Sequence, residues 1–189
     1  MKTATRINSF FRTGDRDLGK VLEQFERTEL THVDLNFPEH TKGIPAADMK
    51  SLLASHGLEL NGVALRFRGE FINGELGNAD PTIASKALKL CREACDYCRE
   101  VGGDTVTIWL GFDGFDYSFQ IDYDRVFQQL VSQFRAVCDG APDLRISIEY
   151  KPFEERSYAF IDSMGLTSMI LAAVDRPNLG VTLDYWRLR

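Results

Sequence analysis

Six short apolar runs, rich in β-branched residues, alternate with stretches of helical period. That alternation is the strongest constraint on what this chain folds into. The runs cover residues 7–11, 32–37, 58–67, 105–111, 146–149 and 179–184. Between them apolar side chains recur at three- and four-residue spacing, as in Leu18, Val21, Leu22 and Phe25, or Val126, Leu130, Phe134 and Val137. Helices are expected over residues 18–30, 46–55, 81–101, 123–137 and 157–174, the last interrupted at Gly165. Asp15 or Asp17 is placed to cap the first and Asp80 the third. Strict alternation of buried strands and helices demands a parallel sheet with helices against it.

Residues 1–189 read as a single domain. A hydrophobic content of 44% and an aromatic content of 11% are ample for a core and argue against disorder. Two architectures fit: an open doubly wound sheet, and a (β/α)8 TIM barrel with only about six βα units present. No Gly-x-Gly-x-x-Gly follows the first strand and no Gly-x-x-x-x-Gly-Lys-Ser/Thr occurs, so neither nucleotide fingerprint supports the open sheet.

The net charge of −6 speaks against a nucleic-acid surface. No apolar run approaches the roughly 18 residues of a membrane span. The first residues lack the apolar core of a signal peptide, and a cytoplasmic location is the expectation. Cys91, Cys95 and Cys98 share one face of the third helix and read as buried thiols rather than zinc ligands. Cys138 stands alone at the end of another helix.

Chemistry is concentrated at two strand ends. Ile146-Ser147-Ile148-Glu149-Tyr150-Lys151-Pro152 runs from apolar residues into a carboxylate and a lysine, and proline stops it. Leu179-Gly180-Val181-Thr182-Leu183-Asp184 likewise ends on an acid. In α/β folds ligands bind outside the strand C-termini. Carboxylates on neighbouring strands make half of a divalent-cation site, with Glu149 and Asp184 as ligands. The plainer reading pairs Glu149 with Lys151 or Arg156 on the rim. Phe10, Phe67 and Trp109 are candidates to line a pocket, or core aromatics. A metal role for His32 or His40 is a weaker option, and His56 reads as a surface residue.

With those residues in view, the chain resembles the xylose isomerase-like barrels, the sugar isomerases and ketose 3-epimerases that share a metal-dependent (β/α)8 fold. Glu149-Tyr150-Lys151-Pro152-Phe153-Glu154-Glu155-Arg156 is similar to the Glu-x-Lys-Pro-x-Glu-x-Arg segment of the fifth strand. Asn178 to Asp184 is similar to the sixth strand, and residues 32–38 and 109–114 to the ends of the second and fourth. The resemblance spans essentially all 189 residues. It implies Glu149 as metal ligand and catalytic group, and Lys151 at the substrate's carbonyl end. It also implies Asp184 as second ligand, with Glu154, Arg156, Arg187, Trp109, Phe10 and Phe67 around the sugar. The implied cofactor is Mn²⁺ or Mg²⁺, with Co²⁺ a further candidate. The implied partners are a small sugar and, for a complete barrel, further copies of the chain, with no nucleic acid or membrane.

The sequence departs from that pattern in two ways. Arginine stands at position 187, three beyond Asp184, where the family commonly has histidine. The family completes its metal site from a seventh and an eighth strand, which are not among these six. The expectation is a fragment whose metal site is unfinished and whose inner barrel face leaves apolar side chains beside a gap. Such a chain is inactive or incomplete alone. The alternative is a non-catalytic α/β module that binds a sugar or a partner through a degenerate site.

Overall fold

A computed structural model describes residues 3–11, 17–153 and 155–184. Six strands form one parallel sheet in unbroken order: β1 (Ala4–Arg6), β2 (His32–Phe37), β3 (Glu59–Arg66), β4 (Thr105–Trp109), β5 (Arg145–Glu149) and β6 (Leu179–Thr182). The helices between them are α1 (Leu18–Glu23), α2 (Ala46–Ser55), α3 (Pro81–Val101), α4 (Tyr123–Gly140) and α5 (Met164–Val174). This is the barrel arrangement, incomplete among the described residues, and not the doubly wound one, whose strand order reverses.

Successive residues of a strand point to opposite faces. Val33, Leu35, Phe37, Val63, Leu65, Val106, Ile108, Ile146 and Ile148 occupy one face and are buried in the core against the helices. The register puts the alternate residues on the other face: Asp34 beside Gly62, Ala64 beside Thr107, Arg66 beside Trp109, and Glu149 beside Thr182. The inner face is therefore polar or small, contrary to the apolar lining expected from the sequence. Thr107, Ser147 and Thr182 bond one another there through their hydroxyls at 2.7–3.3 Å. Hydroxyls that satisfy each other tolerate both protein and water as neighbours.

The helix α3 shows how sequence sets the packing. Asp80 accepts a hydrogen bond from Thr82 N at 2.8 Å, Pro81 starts the helix, and Gly102 ends it in the left-handed conformation. Ala84, Ala87, Cys91, Ala94, Cys98 and Val101 form its buried stripe. These small side chains let the helix lie close to β3 and β4. The thiols are free and buried, as expected. Burial pushes Cys95 up to about 12 and Cys98 up to about 11, so both stay protonated.

Three boundaries differ from the sequence reading. The first strand lies at Ala4–Arg6, and residues 7–10 wind into a 3₁₀ turn that buries Ile7. The first helix ends at Glu23, with Asp17 as its cap. The last helix begins at Met164 rather than 157, capped by Ser163, and Gly165 lies in its first turn instead of breaking it. Residues 158 and 161 are engaged elsewhere: Tyr158 exchanges two backbone hydrogen bonds with Phe115, and Ile161 O accepts from Lys151 N. Backbone groups committed to a neighbouring loop are lost to a helix.

Between β2 and β3 the register slips, because Val33 pairs with Leu60 but Asp34 with Gly62. Asn61 is the extra residue, and its Nδ2 donates to Asp34 Oδ1 at 2.8 Å. A Cβ on Gly62 would meet Thr105 O at 2.3 Å, so only glycine lets β3 and β4 approach here. The variant Gly62→Ala is expected to lose about 2 kcal/mol of stability. Urea denaturation checks this, and an unchanged midpoint would show that the strands can part without penalty.

Candidate functional site at the C-terminal mouth of the sheet

Every strand of a parallel sheet delivers its last inward residue to the same rim. Here β1 delivers Arg6, β3 Arg66, β4 Trp109 and β5 Glu149. Glu149 is 9% exposed. Its Oε2 lies 3.5 Å from an Arg6 guanidinium nitrogen and has no hydrogen-bond donor among the described residues. The sequence pairing of Glu149 with Lys151 or Arg156 is therefore replaced by a facing Arg6. A buried carboxylate oxygen without a donor costs free energy and suits a cation. Asp184 lies two residues beyond Thr182, the register partner of Glu149, and is half-buried.

Trp109 is 4% exposed and has two cations near its ring. The Arg66 guanidinium lies 4.4 Å from its ring centroid and Lys151 Nζ 5.8 Å away. Burial, and after it the charge of Arg6, lowers the pKa of Arg66 below the usual arginine value. Burial raises that of Asp34, on β2 beside Arg6.

Behind the tryptophan is a buried ionic cluster. Lys151 Nζ donates to Asp113 Oδ1 at 2.9 Å, with both side chains almost fully buried. Asp113 Oδ2 accepts from Ile161 N at 2.9 Å. The pair thus ties the loop after β4 to the loop after β5. Glu75, fully buried, accepts from Phe112 N at 2.7 Å through Oε1, while its Oε2 has no partner among the described residues. Burial, and after it the nearby Asp113 charge, pushes its pKa well above the ordinary glutamate value, which favours the protonated carboxyl.

The remaining candidates scatter. Arg156 holds Asp116 through two nitrogens at 2.7 and 3.3 Å. Phe67 is fully buried against Phe71, on the helix-facing side. Phe10 packs edge-on against Phe25. His32 faces Glu59, His56 pairs with Glu26, and His40 accepts from Asn36 N. Glu154 and Arg187 lie outside the described residues. Among the described residues no three His, Cys, Asp or Glu side chains converge to hold a metal. A cavity of about 490 Å³ lies beside the mouth, lined by Glu75, Asp113, Gln120, Arg125 and Arg156 among others, but not by Glu149 or Trp109.

Arg6, Arg66, Asp113 and Glu75 were missed from the sequence. Arg66 had a signal: it follows Gly62 and Ala64 at period two, on the face opposite Val63 and Leu65. Arg6 had none once the first strand was set too late.

Two outcomes test the cluster. Asp113→Asn leaves the Lys151 ammonium buried without its counter-charge and is expected to cost about 3–5 kcal/mol in urea denaturation. For Glu75, the folded chain holds its proton more tightly than the unfolded chain. Its contribution to stability is therefore full below the ordinary glutamate range and falls by roughly 1.4 kcal/mol per pH unit above it, until the folded value is reached. Glu75→Gln should remove that slope, so its advantage over the parent grows with pH and vanishes in acid. Parallel stability–pH curves would contradict the raised pKa of Glu75.

Known proteins resemble the chain in sequence and in fold. A "Probable sugar isomerase" of Mesorhizobium japonicum is 26% identical over 100 residues, covering 52% of this chain and 23% of that protein. One of Rhizobium meliloti is 27% identical over 112 residues, covering 59% and 26%. The chain thus spans about a quarter of the length of these curated relatives. An L-ribulose 3-epimerase structure superposes with a TM-score of 0.80 at 12% identity, covering all of this chain and 62% of that one. A D-psicose 3-epimerase with D-tagatose, from Clostridium cellulolyticum H10, gives 0.75 at 15% identity over 96% of this chain and 62% of that one. An AP endonuclease, family 2, from Brucella melitensis gives 0.78 at 17% identity over 98% and 69%. The family model described as xylose isomerase-like TIM barrel matches residues 22–188, and the chain belongs to that family.

Proposed function

We propose that the chain carries one side of the active site of a divalent-metal-dependent sugar isomerase or ketose epimerase. The observation that carries this is the Glu149 carboxylate, buried at the mouth with one oxygen lacking a donor. Glu149 and Asp184 would hold the ion, and their oxygen donors suit Mg²⁺ or Mn²⁺. A bound ion would polarise the sugar's carbonyl and neighbouring hydroxyl.

The chain's own residues supply the rest. Trp109, stacked on Arg66 and with Lys151 near its ring, would help to exclude water from a bound sugar. Glu149 would accept the proton from the carbon beside the carbonyl. A hydride shift would instead need Lys151 on the carbonyl oxygen. Its ammonium is engaged by Asp113 and buried, which favours proton transfer, with Lys151 as a post behind Trp109. A second reading, a non-catalytic sugar-binding module, draws on the absence of a three-ligand cluster among the described residues.

Calorimetric titration with Mn²⁺ tests the proposal. Binding to the full chain should weaken about tenfold or more in Glu149→Gln, which cannot offer a charged ligand. Affinity that survives the substitution would remove Glu149 from the site. Turnover of a ketose, followed by chromatography of the sugar products with Mn²⁺ present, separates the enzyme from the binding module.

A further inference from the structure

Two guanidinium groups at the mouth are only partly compensated. Arg6 faces Glu149 at 3.5 Å and lies within electrostatic reach of Asp34. Arg66 stacks on Trp109, makes no ion pair among the described residues, and has a buried Nε without a partner. The two arginines also repel one another. Arg68, two residues further out, differs: it is taken up by Glu39 at 3.2 Å and Glu155 at 3.8 Å.

Strand geometry holds these like charges together, since both leave the last inward position of their strands. Half-buried guanidinium donors that are only partly satisfied are costly, and an oxyanion matches them through paired hydrogen bonds. A neutral sugar offers hydroxyls and a carbonyl but adds no negative charge. A cation on Glu149 would also release Arg6 from its present neighbour.

We propose that Arg6 and Arg66 form an anion subsite, and that the sugar taken at this mouth carries an acidic group, a carboxylate or a phosphate. The assignment rests on the reading of the mouth as a sugar site. The acidic group would sit against Arg66 beside the indole, so that the ring of Trp109 covers the adjoining carbons while the guanidinium takes the charge.

The test is calorimetric titration of the full chain with D-fructose, D-fructose 6-phosphate and 5-keto-D-gluconate, with Mn²⁺ present and low salt. One charged sugar is expected to bind about tenfold or more tighter than D-fructose, and its identity distinguishes phosphate from carboxylate. Arg66→Gln should erase that preference by weakening the charged sugar far more than D-fructose, whereas Arg66→Lys should keep part of it. Equal affinity for all three sugars overturns the subsite and leaves the sugar site standing. Equal weakening of all three by Arg66→Gln also overturns it, by showing that Arg66 only supports Trp109. Failure of every sugar to bind the parent chain overturns the sugar reading, and the subsite with it.

Discussion

A parallel strand shows alternate residues to opposite sides, and six strands in unbroken order turn that alternation into two surfaces. One surface is Val, Leu, Ile and Phe against helices; the other is Thr, Ser, Gly, Ala, Arg, Trp and Glu. A one-residue slip in any strand would exchange the two. The rim is a consequence of this constraint. Arg66, Trp109 and Glu149 meet because β3, β4 and β5 end in step with the same parity inward. Even the slip at Asn61 preserves parity beyond it, since the extra residue is absorbed before Gly62.

Behind the rim the dominant interaction is the buried pair of Lys151 and Asp113. An ion pair removed from water gains little net free energy over an apolar substitute, but losing one partner is severe. What such a pair supplies is position. Asp113 is bonded both to the lysine and to the backbone at Ile161, so the loops after β4 and β5 move together or not at all. Glu75 adds a carboxyl to the same low-dielectric pocket, where burial and Asp113 both disfavour its charged form. The cluster keeps Lys151 near the ring of Trp109, a buried tryptophan at a loop-bearing edge that also carries the Arg66 guanidinium.

Much of this was legible in the sequence. Period-two and period-three-to-four patterns place β2 to β6 and the helices α2, α3 and α4, because their apolar faces are continuous. Glu149 and Asp184 stand out as acids that end apolar runs. The first strand was misplaced because Ile7, Phe10 and Phe11 are more apolar than Ala4 to Arg6, and hydrophobicity alone does not distinguish a strand from the 3₁₀ turn that follows it. The start of α5 was misplaced because contacts with Phe115 and Lys151, distant in sequence, claim the backbone of residues 158–161. Asp113 reads as a loop residue until the fold brings Lys151 to it, 38 positions later. Long-range electrostatics leave no local trace, and most of what the sequence hid at the rim is of that kind.

As proposed, the inward rim about Glu149 receives a cation and a sugar. The most direct measurement is a crystal structure grown with Mn²⁺, with the ion located by its anomalous scattering. The expected result is a peak bonded to the Glu149 carboxylate, with Arg6 turned away from Oε2 and Lys151 still on Asp113. A peak held by other carboxylates, or an intact Arg6–Glu149 contact with no ion at the rim, would contradict it.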